Sequence, residues 1–200
     1  MKIFCVGRNY GEHAKELGNA VPENPVIFSK PDTALLKNDD PFYLPDFSND
    51  VHHEVELVIK INKMGKKIQE EFAHHYFNEI GLGIDFTARD LQSQLKSKGL
   101  PWELAKAFDG SAPIGDFIPY EKDKPINFSL KKNGITVQVG NSNDMIFSFS
   151  KIIAFVSNYF TLKVGDLIYT GTPAGVSAVN IGDKLEGFIE NERMLTCEVK

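Results

Sequence analysis

The stretch that most constrains this chain is Asn49 to Ile61, NDVHHEVELVIKI, in which apolar and polar residues alternate. Val55, Leu57, Ile59 and Ile61 fall on one parity, Glu54, Glu56 and Lys60 on the other. This is the period-two pattern of a half-buried strand. Its two glutamates then point the same way, about 7 Å apart along the strand. Two ionised carboxylates side by side repel, so one takes a proton or both face a cation. A hard divalent ion such as Mg²⁺ is the natural counter-ion, and a solvated face is the plain alternative. The pair needs a third partner before it means chemistry.

Size and charge narrow the classes. With 200 residues, 42% of them hydrophobic, the chain can bury a sizeable core, and residues 1–200 are expected to form a single domain without repeats or linkers. A net charge of −5 with scattered lysines argues against a nucleic-acid partner. The apolar run Ile3 to Val6 is too short for a signal peptide or membrane span, so no membrane partner and a cytoplasmic location are expected. Cys5 and Cys197, at opposite ends of the chain, read as reduced packing residues.

Along the chain, Ile3 to Val6 reads as a strand, and Glu12 to Leu17 as a helical turn capped at Gly18-Asn19. There His13 and Glu16 are three apart, so the carboxylate can orient the imidazole as a base for activating water, although such pairs are commonly just solvated. The spacing of Ile68, Phe72, Tyr76 and Ile80 predicts a helix over 68–80, with His74 and His75 as surface or rim residues. Gly81 to Ile84 reads as a strand leading into Asp85, and Thr87 with Asp90 as a capping box opening a helix that ends near Gly99. Asp85 thus stands at a strand-to-helix junction, where ligands are often held. Arg89 and Gln92 share the first turn of that helix, and Lys106 sits between alanines, where an ammonium needs a charge partner. Asn133-Gly134 predicts a hairpin, and Ser148 or Ser150 caps a helix whose core side includes Ile152, Ile153 and Val156. The loop after Tyr169 carries Gly171 and Thr172, whose backbone N–H groups suit an oxyanion. Two strands joined near Asn191 end the chain.

The strings GRNYGEHAKE, VHHEVELVI, GIDFTARDLQ, KGLPWELAKAFDGSAPIG and IYTGTPAGV, in this order, resemble the fumarylacetoacetate hydrolase family, most closely its short acylpyruvase and oxaloacetate decarboxylase type. The resemblance covers Ile3 to about Val199. It implies an α+β fold, a β-rich roll of mixed sheets with a few covering helices, and a homodimer. It implies that Glu54, Glu56 and Asp85 bind Mg²⁺ or Mn²⁺, and that His13 and Glu16 form a water-activating dyad on a lid spanning about residues 11–25. Lys106 then neutralises substrate charge, with Arg89, Gln92, Gly171 and Thr172 positioning a small 2-oxo acid. The implied reaction is C–C cleavage through a metal-bound enolate: acylpyruvate or fumarylpyruvate hydrolysis, or oxaloacetate decarboxylation. The alternatives are an isomerase or decarboxylase of 2-hydroxyhepta-2,4-diene-1,7-dioate type, and a catalytically silent metal-binding member. Thr87, Ala107 and Asp116 depart from the residues common in the family, and of these Asp116 bears on a loop. The resemblance does not extend to the extra N-terminal domain of the larger hydrolases, so fumarylacetoacetate itself is not expected as the substrate.

Overall fold

The computed structural model describes residues 1–16, 18, 21–37 and 39–200. The architecture is α+β, with three sheets and a few helices. The first sheet begins with β1 (Ile3–Gly7), whose backbone turns at Arg8 into the short helix α1 (Gly11–Glu16). Leu17 and Asn19, where that helix was expected to end, lie outside the described residues, as does Ala20 of the expected lid. The chain returns as β2 (Val26–Lys30), antiparallel to β1, and then forms the two-residue β3 (Leu35–Leu36).

The central stretch divides at Glu54. Before it, β4 (Val51–His53) belongs to a small three-stranded sheet; after it, β5 (Val55–Ile61) is the middle strand of a seven-stranded sheet. Glu54 therefore occupies the corner between two sheets. β6 (Phe77–Ile84) pairs antiparallel with β5, Val55 opposite Ile84, and the ladder ends in a hydrogen bond from the Asp85 backbone N–H to the Glu54 carbonyl at 2.8 Å. This register brings Asp85 to the glutamates although 29 residues separate it from Glu56.

The alternation predicted a half-buried strand, but β5 is buried on both faces. The apolar parity packs against β6, the four-stranded sheet described below and a covering helix. The face carrying the glutamates is buried as well, and there Val58 lies in one cross-strand row with Tyr169 and Cys5 of neighbouring strands. A second expectation fails at 68–80. Only Glu70–His75 is helical, as a 3₁₀ turn, and Phe77–Ile80 extend β6, with Phe72 exposed. Cross-strand pairing to β5 and to the later strand Ala112–Pro119 overrides the i, i+4 apolar spacing there.

After Asp85 come β7 (Thr87–Ala88), α2 (Arg89–Ser97) and α3 (Glu103–Lys106). β8 (Ala112–Pro119) follows, then β9 (Asn127–Lys132) and β10 (Ile135–Asn141), joined by Asn133-Gly134 with both φ angles positive, as a tight hairpin requires. α4 (Phe149–Tyr159) has Ser148 as its cap, the side chain accepting from the Lys151 N–H. Its Ile152, Ile153 and Val156 are buried against the large sheet. β11 (Leu167–Tyr169), β12 (Ser177–Ala178), β13 (Lys184–Ile189) and β14 (Glu192–Glu198) complete the chain. The large sheet runs β2-β1-β11-β5-β6-β8-β3, the four-stranded sheet β10-β9-β13-β14 and the small one β12-β4-β7. Asn9 ties the end of β1 down: its amide donates to the Phe147 and Thr170 carbonyls at 3.1 and 2.7 Å, and its oxygen accepts from the Phe147 N–H. Among the described residues no helix is long and apolar enough to cross a membrane.

Candidate metal and 2-oxo acid site

The ends of β1, β2, β5 and β6 converge with α1, α2 and α3 on one polar cavity, lined among others by His13, Glu54, Glu56, Asp85, Arg89, Lys106 and Thr172. The three carboxylates are 5%, 2% and 1% exposed. One oxygen from each lies within 4.8 Å of the others. Three cations face them. Lys106 Nζ donates to Glu54 at 2.9 Å and to Asp85 at 2.6 Å, and also to the Thr87 hydroxyl. Arg89 pairs with Glu54 and is steadied by a 2.6 Å bond from its Nη1 to Gln92 Oε1. The buried Lys30 stands 2.8 Å from Asp85 Oδ1.

Thr87 does not cap α2. The cap position is Ala88, and Thr87 Oγ1 donates to Glu54 at 3.0 Å. A buried carboxylate and a buried ammonium on either side of that hydroxyl attract it more strongly than an exposed helix end.

The electrostatics divide the cluster. Burial pushes Glu54 up, but Lys106, Arg89 and His13 outweigh it and hold the carboxyl well below the usual range. For Glu56, burial is reinforced by repulsion from Asp85 and Glu54, so its carboxyl is raised well above the usual range. Its described hydrogen bond comes from the Gly171 N–H at 2.7 Å. That donor, expected to face a substrate oxyanion, is therefore directed at Glu56. Gly171 adopts φ +106°, and a Cβ there would stand 2.6 Å from the Asn9 Cβ, so only glycine presents its N–H this way. Lys106 is itself raised: burial opposes its charge, and Asp85 and Glu54 more than restore it.

Asp85 Oδ1 receives no hydrogen bond despite its closeness to Lys30. The ammonium donates instead to the carbonyls of Phe86 and Ser111, the Ser111 hydroxyl and the Lys106 carbonyl. A buried carboxylate oxygen met by an ion pair but by no hydrogen bond, next to a carboxyl raised by its like-charged neighbours, fits a hard divalent cation. The all-carboxylate donor set suits Mg²⁺ or Mn²⁺ better than zinc.

His13 closes the cavity from α1. It is buried, and its Nδ1 lies 3.1 Å from Glu16 Oε2. The other oxygen of Glu16 accepts from the Gly175 N–H at 3.1 Å, so the same carboxylate holds both the imidazole and the loop after β11. Of the ten residues expected at the site, eight line this cavity, and Glu16 and Gly171 stand behind the lining in contact with His13 and Glu56. Lys30 was not singled out: a lysine closing an apolar strand before Pro31 was the available signal. A larger apolar groove of about 540 Å³ along β2 shares Phe28 and Trp102 with this cavity, but among the described residues the one carboxylate in its lining is Glu103.

The family model described as fumarylacetoacetate hydrolase C-terminal matches residues 2–200. Oxaloacetate tautomerase FAHD1 of Mus musculus is 43% identical over 201 residues, covering 99% of this chain and 91% of that protein. Oxaloacetate tautomerase YcgM of Escherichia coli K12 is 43% identical over 199 residues, covering 98% and 91%. A solved structure of fumarylpyruvate hydrolase from Pseudomonas aeruginosa, in complex with Mn²⁺ and pyruvate, superposes with a TM-score of 0.93 at 36% identity, covering 100% of this chain and 89% of that one.

Proposed function

Since the chain belongs to the fumarylacetoacetate hydrolase family, we propose that it is an enzyme of enolate chemistry on small 2-oxo acids, with oxaloacetate as the first substrate to test. The observation that carries this reading is the buried triad of Glu54, Glu56 and Asp85 with His13 in the same cavity. The triad would hold Mg²⁺ or Mn²⁺, which supplies a Lewis acid for the negative charge that develops on a 2-oxo oxygen. Glu16 accepts the Nδ1 proton of His13, leaving Nε2 as the base. In oxaloacetate tautomerisation, His13 Nε2 would take a proton from the carbon beside the oxo group and pass it to the oxo oxygen, giving the enol, and the reverse transfer would restore the ketone. The curated relatives named as oxaloacetate tautomerases support this form of the reaction.

The charge balance supports a dianion. Glu54, Glu56 and Asp85 face Lys30, Arg89 and Lys106, and Arg8 and Lys96 also line the cavity, so with a divalent cation the site would be positive and favour the more highly charged anion. Oxaloacetate and fumarylpyruvate carry two negative charges, acetylpyruvate one. A second reading, fumarylpyruvate or acylpyruvate hydrolysis, is favoured by the His13 and Glu16 dyad, which equally suits a water, and by the Mn²⁺- and pyruvate-bound neighbour. In both, α1 acts as a lid, held down through Glu16 on Gly175.

The test is a panel of oxaloacetate, acetylpyruvate, fumarylpyruvate and 2-hydroxyhepta-2,4-diene-1,7-dioate, each with chelator and with Mg²⁺ or Mn²⁺. The reading expects metal-dependent turnover, with the dianionic oxo acids favoured over acetylpyruvate. No turnover of any member with either ion would sink it and restore the silent metal-binding alternative.

A further inference from the structure

β10 is built inside out. It exposes Ile135 and Val139 and turns Gln138 inward, to 1% exposure. A register shift between Thr136 and Gln138 accompanies the inversion. Bulges of this kind re-aim a side chain. A strand that leaves two β-branched residues in water to bury an amide is opposing its own apolar pattern, which points to a task for the amide.

The amide's two ends are distinguishable without seeing hydrogens. Its oxygen lies 3.0 Å from the Val55 backbone N–H, which can only donate, and its nitrogen lies 2.9 Å from the Pro173 carbonyl, which can only accept. The orientation is therefore set from both sides. The nitrogen also donates to Thr172 Oγ1 at 2.8 Å. An oxygen that accepts from Gln138 keeps its own proton to donate elsewhere, and Thr172 lines the cavity that holds the carboxylate triad.

Behind Gln138 the same polarity continues. His53 Nδ1 stands 2.9 Å from the amide oxygen and therefore carries its hydrogen, while Nε2 accepts from Ser177 Oγ at 2.8 Å. Ser177 Oγ in turn lies 3.4 Å from Lys132 Nζ. Every link donates toward the site, and bonds chained head to tail polarise one another. The loop cannot shift freely past β10: Gly175 has φ +99°, and a Cβ there would stand 2.2 Å from the Val137 carbonyl oxygen.

We propose that Gln138 is a positioning residue that fixes the Thr172 hydroxyl as a hydrogen-bond donor to an anionic oxygen of the bound 2-oxo acid, at the inner end of a one-way chain from Lys132. The inference rests on the 2-oxo acid reading of the site. It adds a selective element that the carboxylates lack: they demand a cation, whereas Thr172 held this way demands an acceptor.

The test is calorimetry of oxalate, a planar mimic of a pyruvate enolate, binding to the Mn²⁺-loaded protein. Thr172→Val is expected to weaken oxalate about tenfold, the loss of one such bond, and Thr172→Ser to stay within about threefold. Gln138→Glu puts an acceptor where the amide donated, so the hydroxyl turns back and oxalate weakens about tenfold with Mn²⁺ affinity unchanged. In the Thr172→Val background the same change costs nothing further. A Gln138→Glu loss that persists in full in that background overturns the inference, as does Thr172→Val binding oxalate like the parent, which decides the matter even if the Gln138 variant fails to fold. A parent that does not bind oxalate with Mn²⁺ overturns the 2-oxo acid reading itself and the inference with it.

Discussion

Glu54 and Glu56 stand two residues apart with their side chains in one cavity, yet their surroundings are opposite. Glu54, at the corner between two sheets, meets Lys106, Arg89 and Thr87, and its charge is held in place. Glu56, inside β5, meets the Gly171 N–H and two other carboxylates, and its charge is opposed. The difference shows how one short segment can do two jobs. Glu54 anchors the cations of α2 and α3 to the sheet, and Glu56 keeps lone pairs and an unfavourable charge that an incoming cation would relieve.

The sharpest division between the two sides falls at His13, which acts on Glu54's side. His13→Ala is expected to lower turnover of oxaloacetate by about 10²–10⁴-fold while leaving Mn²⁺ affinity as in the parent. Steady-state kinetics with a parallel Mn²⁺ titration checks both halves, and a parallel loss of metal would merge the two sides.

Removing a cation from Glu54's side tests its anchoring role. Lys106→Met leaves Glu54 and Asp85 buried with reduced compensation and is expected to destabilise the metal-free protein by about 3–5 kcal/mol, measured by urea unfolding. Added Mn²⁺ should recover part of that loss, because the ion binds the folded state.

Glu56→Gln should behave oppositely. A carboxyl raised by burial opposes folding once the pH exceeds its unfolded value, and the amide imitates its protonated form. The metal-free variant is therefore expected to melt at the parent's temperature or about 2–4 °C higher at neutral pH. A marked fall would mean that the Glu56 charge is as well supported as that of Glu54.

The smallest effect is in the protons. Because Glu56 holds its proton above the usual carboxylate range, Mn²⁺ binding should release up to about one proton and tighten as the pH rises through that range. Calorimetry in buffers of different ionisation enthalpy reads the number directly.

Much of this arrangement is legible in local patterns. The alternation around Val55, the turn at Asn133-Gly134 and the Ser148 cap report themselves because each acts within a few residues. The triad needed the family strings, since only the β5–β6 register carries Asp85 to Glu54. Where long-range pairing competes with local spacing, the local signal loses, as at Phe77 to Ile80. Lys30 and Gln138 were invisible for the same reason. Lys30 meets partners 56 to 81 residues away, and Gln138 reads as an ordinary polar residue of a hairpin until the bulge turns it inward. The burial of the glutamates was hidden too, because the groups that meet them, Lys106, Arg89 and the Gly171 N–H, come from distant parts of the chain.

We propose that Glu56 completes a divalent-cation site. Titration of Mn²⁺ followed by electron paramagnetic resonance, on the parent and on Glu56→Gln, tests it most directly. One site is expected in the parent and at least about 100-fold weaker binding in the folded variant, beyond the 10–100-fold cost of losing an outer-shell partner. Binding by Glu56→Gln as tight as the parent's would contradict it.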